Sequence, residues 1–166
     1  VKEVGMLNLP SGKLIVCDPL IVSKNQCALD ETFTEGKHPV TFSYLSCHAP
    51  DGIFKEDTPV AAATLWFEKR SSIQVEELYW QLATAGIEKD FCIDSGTLGF
   101  LDDSGLGKIE KMCDMKGVAD PNSIYDKIQK SVDGHLILNE KNGANIFVCA
   151  TNDGVYRSLY GYYYKN

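Results

Sequence analysis

The chain has 166 residues, 44% hydrophobic and 23% charged, with 16 basic against 23 acidic side chains and a formal charge of -7. This balance excludes a disordered chain and suits one globular core, so a single domain over residues 1–166 is expected. A surplus of acid with no basic cluster beyond Glu68 to Arg70 excludes a surface built for phosphate backbones, and no nucleic-acid partner is expected.

No apolar run approaches the ~20 residues that span a bilayer, and the start lacks the uninterrupted apolar core of a secretory signal. A cytoplasmic protein without membrane association is expected. Six cysteines, Cys17, Cys27, Cys47, Cys92, Cys113 and Cys149, are scattered with no CxxC pair. That spacing suits neither a zinc site nor a disulfide framework, so reduced thiols and no bound metal are expected.

Taken in chain order, Gly12 to Val22 is rich in branched apolar residues and broken at Pro19, which cannot donate to a ladder. It predicts a strand, a corner at Asp18-Pro19 and a second extended piece. His38 to Cys47 alternates Val40, Phe42 and Tyr44 against Thr41, Ser43 and Leu45, the period of a half-buried strand. Pro59 to Phe67 reads as a further strand, although its three alanines also permit a helix. In the stretch from Ser71 to Gly86, Ile73, Val75 and Leu78 fit no single period, and a strand is favoured.

The clearest helix is Asp120 to Val132, with Asp120 as cap, Pro121 at the first helical position, Ile124, Ile128 and Val132 on one face, and Gly134 as the stop. Gly105 to Met115 predicts a second, shorter one. At the end, Asn152-Asp153-Gly154 between two β-rich runs is a strong hairpin signal, since these residues tolerate positive φ. The fold class is therefore α+β, mostly antiparallel β-sheet with one or two short helices in the C-terminal half.

Ile93-Asp94-Ser95-Gly96-Thr97 resembles the active-site loop of aspartic proteases. That chemistry needs two such loops whose carboxylates share a proton, and a supporting pair of apolar residues followed by Gly. The sequence holds one such loop, and no segment after Thr97 supplies the supporting pair well, the nearest having Gly143 before its apolar pair instead of after it. The alternative is architectural: Asp94 accepts amides of its own loop, including that of Gly96 or Thr97, while Gly96 frees the turn. His38, His48 and His135 stand apart from one another and from any nucleophile motif, and the acidic residues do not follow calcium-loop spacing. Tyr156, Tyr160, Tyr162, Tyr163 and Tyr164 crowd the last strand, where tyrosines serve either as core with a wet phenol or as interface anchors.

Leu9-Pro10-Ser11-Gly12-Lys13 with Asp18-Pro19, Asp94-x-Gly96-Thr97 with Phe100 and Asp102, and Asp153-Gly154-x-Tyr156 with Gly161-Tyr162 occur in this order along nearly the whole chain. In this respect the sequence resembles an uncharacterised bacterial domain family, DUF4241. Asn152 and Arg157 stand where members of that family commonly carry Gly and Pro. The resemblance implies that Asp-x-Gly-Thr is a family turn, and it implies no activity and no cofactor.

Two functions follow as expectations. One is a non-enzymatic bacterial binding module, of the immunity or antitoxin kind, that takes a cognate protein toxin as partner through Asp18, Thr97, Asp153, Tyr156, Tyr160 and Tyr162. The other is a small hydrolase or ligand-binding enzyme on an Asp-rich loop, with Asp94 as base, Asp102 as its partner and Thr97 beside the anion-binding amides. It requires the Asp18 corner, the Asp94 to Asp102 loop and the Asp153 hairpin to converge.

Overall fold

The computed structural model describes residues 1–22, 28–44, 60–68, 78–85, 90–113, 122–131 and 134–162. Its centre is a four-stranded antiparallel sheet of order β2-β7-β9-β8, made from Leu14–Cys17, Thr97–Asp102, Asn145–Ala150 and His135–Ile137. A second antiparallel sheet, of order β1-β3-β4, comprises Lys2–Leu9, Gly36–Tyr44 and Val60–Leu65. Two antiparallel ribbons complete it: β5 (Tyr79–Leu82) with β11 (Leu159–Tyr162), and β6 (Asp90–Ile93) with β10 (Gly154–Arg157). The helices are α1 (Leu106–Cys113), entered through a 3-10 turn at Asp103–Gly105, and α2 (Ile124–Gln129). The fold is α+β, mostly antiparallel, with both helices in the C-terminal half.

The apolar runs Leu14-Ile15-Val16-Cys17 and Ile146-Phe147-Val148-Cys149 do not alternate with polar residues because the central sheet is covered on both faces. Leu14, Val16, Leu98, Phe100, Phe147 and Cys149 pack with Leu7, Leu9, Val40 and Phe42 of the β1-β3-β4 sheet. Ile15, Cys17, Leu101, Ile146 and Val148 pack instead with Ile109, Met112 and Ile124 of the helices. Register aligns these sets into rows, Val16 opposite Phe100 opposite Phe147 on one face and Ile15 opposite Leu101 opposite Ile146 on the other. A polar residue at any of these positions would be desolvated from either side. Burial pushes the Cys149 thiol up to about 12, so it is an inert core hydrophobe, and burial raises Cys17 as well.

Several local expectations change in the folded chain. After Cys17 the second extended piece is replaced by a turn in which Ile21 N donates to Asp18 O at 3.2 Å. Thr41, expected on the outer face of β3, is buried because Trp66 Nε1 donates to its hydroxyl at 2.9 Å. The alanines of Val60–Leu65 form a strand, pairing with β3. The cap of α2 is Ser123, whose Oγ accepts from Asp126 N at 3.2 Å, so the helix starts later than the Asp120-Pro121 signal implies. It ends at Gln129, and Gly134 instead leads into β8, its carbonyl accepting from Val148 N. Cys27, Cys47, His48, Ile73, Val75, Asp120, Pro121, Val132, Tyr163 and Tyr164 lie outside the described residues.

The Asn152-Asp153-Gly154 hairpin does not form either. β9 pairs with β7 and β10 pairs with β6. Thr97 opposes Ala150 and Ile93 opposes Gly154, leaving three residues on each strand between the two ladders, so the register carries through unchanged. The strands β6-β7 and β9-β10 thus form one long bent ribbon, and the loop residues occupy its bend.

Asn145 joins the two larger sheets. Its Oδ1 accepts from Asn8 N at 2.7 Å and its Nδ2 donates to Met6 O at 2.9 Å, so it serves the backbone edge of β1 as a strand would. With the amide fixed in this orientation, Nδ2 also faces His135 Nε2 at 2.7 Å, and that nitrogen must be the acceptor. The ring stacks on Phe147 at 4.7 Å, and burial lowers its pKa below the ordinary 6.5. A group whose folded pKa is depressed in this way, being neutral in the fold, stabilises above its unfolded pKa and loses that contribution as protons bind. Stability should therefore fall as pH drops below 6.5, and in thermal melts from pH 7.5 to 5 the His135→Gln variant should show a shallower decline.

Candidate functional site

The polar positions singled out by the sequence gather at the two ends of the β2-β7 pair, and two buried carboxylates organise them. Asp18, 5% exposed, follows β2. Its Oδ2 accepts from Asp94 N at 3.0 Å and Ser95 N at 2.8 Å, and its Oδ1 accepts from Ser95 Oγ at 2.6 Å and Leu20 N at 3.0 Å. Asp102, 0% exposed, closes β7. Its Oδ2 accepts from Ser11 N at 3.0 Å and Ser11 Oγ at 2.8 Å, and its Oδ1 from Ser104 N at 2.9 Å and Ser104 Oγ at 2.5 Å.

The two sites are copies of one device. Ser11-Gly12 and Asp18 flank β2 with five residues between, and Ser95-Gly96 and Asp102 flank β7 with the same spacing. Each Asp takes the amide and hydroxyl of the other strand's Ser and the amide two residues beyond itself. The antiparallel register places Val16 opposite Phe100, equivalent positions that each stand two residues before their Asp, so a local two-fold axis passes between them. Both glycines adopt left-handed φ, +66° at Gly12 and +64° at Gly96, and a Cβ on Gly12 would lie 2.5 Å from Phe33 O. Any other residue there would be strained. This Ser-Gly-x5-Asp repeat is the sequence signal that strand and motif reading passes over.

Of the residues expected at a site, Asp18, Asp94, Thr97 and Asp153 do come together at the N-terminal end of β7. Thr151 N donates to Gly96 O at 2.8 Å, which sets the Thr151 to Asp153 segment beside the bend. Thr97 Oγ1 donates to Ser95 O at 3.2 Å. Asp94 does not hold its own loop as expected. The amides of Asp94 and Ser95 go to Asp18, and the Asp94 side chain points to solvent. Asp102 lies at the other end of β7, five residue steps from Thr97 at about 3.3 Å each, or roughly 17 Å. A carboxylate pair sharing one proton does not form between Asp94 and Asp102.

The tyrosines divide. Tyr156 stacks near Phe91 at 6.0 Å, its hydroxyl donates to Asn152 O at 2.6 Å, and Thr151 Oγ1 lies 2.8 Å away. Tyr160 packs at 5.8 Å from Phe33, which stacks on Phe67 at 4.3 Å, and burial pushes its phenol up to about 12. Tyr162 is more open, 6.2 Å from Tyr160. With Tyr156 and Tyr160 turned inward, the opposite face of the same strands carries Val155, Arg157, Leu159 and Gly161. Val155 opposes Cys92, Leu159 opposes Leu82 and Gly161 opposes Trp80. Val155 is 67%, Leu159 54% and Trp80 48% exposed. Strand alternation thus makes an open apolar face that counting tyrosines does not reveal.

These features define an antiparallel α+β protein with a twice-used Asp-Ser tie and an exposed aliphatic-aromatic strand face. Among the described residues no helix is long and apolar enough to cross a membrane, and no group of three His, Cys, Asp or Glu side chains is placed to hold a metal. Residues 7–166 match the family described as protein of unknown function DUF4241, and the chain belongs to that family. No curated protein and no solved structure matches it.

Asp18→Ala would leave the amides of Leu20, Asp94 and Ser95 without their acceptor, at about 1–3 kcal/mol for each buried donor left unpaired. Denaturant unfolding should show Asp18→Ala destabilised by about 3 kcal/mol or more, with Asp94→Ala within about 0.5 kcal/mol of the parent. Comparable losses in the two variants would contradict the assignment of the anchor to Asp18.

Proposed function

We propose that the protein is a non-enzymatic cytoplasmic binding module, of the immunity or antitoxin kind, that docks a cognate protein toxin on the outer face of the β5-β11 and β6-β10 ribbons. The observation carrying this reading is the set of exposed apolar side chains on that face, Trp80, Cys92, Val155 and Leu159, with half-buried Leu82 beside them. Exposed apolar patches on a folded chain are costly in water and mark docking surfaces, and Trp is among the residues most enriched at binding hot spots. The Trp80 indole lies across Gly161, within 3.2 Å of where a Cβ would stand, so it is held on the sheet at little further entropic cost. A formal charge of -7 would speed encounter with a basic partner. The separation of Asp94 from Asp102 by the length of β7 also favours binding over acid-base chemistry.

Calorimetry against the product of the neighbouring gene tests this. Binding should weaken by about 2 kcal/mol or more on Trp80→Ala or Leu159→Asp, the range of a central interface residue, and Asp94→Asn should leave it nearly unchanged. No binding to any neighbour-encoded protein, or full affinity in both face variants, would refute it.

A further inference from the structure

A groove of about 330 Å3 opens between α1, α2 and the edge strand β8. That volume lies at the lower end of small-ligand sites. Its apolar lining is Met112 from α1 and the consecutive Leu136, Ile137 and Leu138. Ile137 stands 64% exposed at the mouth, and Met112 and Leu138 are buried.

The rim is basic, on a chain that is acidic as a whole. Lys108, Lys127 and Lys130 line it against one carboxylate, Asp126. Asp126 is taken by Lys130 at 2.7 Å, and Ser131 Oγ donates to Ile128 O at 2.7 Å. Lys108 and Lys127 are left as two ammonium groups with no acceptor among the described residues, one on each helix bordering an apolar trough. Ammonium groups at the rim of an apolar trough suit an anionic head group that accepts charge-assisted hydrogen bonds from them.

We propose that this groove binds an amphipathic carboxylate, a medium-chain acyl acid whose head group bridges Lys108 and Lys127 while its tail lies along Met112, Leu136, Ile137 and Leu138. The charges select the head, and the apolar trough supplies affinity in proportion to the tail area removed from water. A bare anion would find the charges and no tail contact. A cationic amphiphile would meet repulsion at the rim.

The test is an NMR titration of the full chain with decanoate below its micellar concentration, alongside acetate and decyltrimethylammonium. Decanoate should saturate and shift the amides of Leu136, Ile137 and Leu138 and those of α1 and α2. Acetate and the cationic amphiphile should each bind at least about tenfold more weakly, and Lys108→Gln with Lys127→Gln should weaken decanoate by about tenfold, the scale of one lost charge-assisted contact. Both substitutions are at solvent-accessible positions, and an unchanged melting temperature would show that the fold is kept. The proposal is overturned if decanoate does not bind, if its shifts map elsewhere, or if the double variant binds it equally well. Equal binding of decyltrimethylammonium would show apolar adsorption alone, and equal binding of acetate a simple anion site; either result also overturns it.

Discussion

The reciprocal tie between Asp18 and Ser95, and between Asp102 and Ser11, is the constraint on which the rest of this fold depends. Each carboxylate sits out of water and still meets four donors, so burying it does not leave lone pairs empty. Because the donors come from the segment preceding the opposite strand, each tie clamps both the register of β2 against β7 and the direction of the chain entering the strand. A one-residue slip would exchange the Val16 and Ile15 rows between the two cores and break both ties together.

The same ties set up the outlying ribbons. Asp18 holds the backbone at Asp94-Ser95 and Gly96 accepts the turn in left-handed geometry, so β6 leaves the central sheet at a bend while β10 follows in matching register. Past the bend one face of the ribbons is covered by Phe91, Tyr156, Phe33 and Tyr160, and on the opposite face Trp80, Val155 and Leu159 stand exposed. The exposed apolar face proposed for docking is thus a consequence of where the bend falls, and the buried Asp18 would act on binding by positioning that face.

Much of this was legible in the chain itself. Alternation in β3, the branched apolar runs of β2 and β9 and the fourfold spacing of Ile124 and Ile128 identified strands and helices, because those signals come from the local period of burial. The Asp-x-Gly-Thr pattern also marks the loop at Asp94 as special, but it does not identify the carboxylate that holds it. Asp94 and Asp18 look equally suited to accept amides, and 76 positions of chain separate Asp18 from the amide it binds at Asp94. The Asn152-Asp153-Gly154 signal misled for the same reason: its backbone tolerance is local, whereas the strand that captures β10 is β6, far away in sequence.

The amino-acid sequence by itself determined the class of fold, most of its strand segments and the turn at Gly96, since these follow from side-chain volume, polarity and backbone freedom at each position. Only the tertiary structure decided that Asp18 and Asp102 are paired anchors, that Asp94 faces solvent, that Tyr156 and Tyr160 turn inward and that Val155, Leu159 and Trp80 turn outward. Those outcomes depend on which strands meet. Strand partnership is settled by the simultaneous burial of two faces and the satisfaction of buried donors across the whole molecule, and no single stretch of sequence carries that sum.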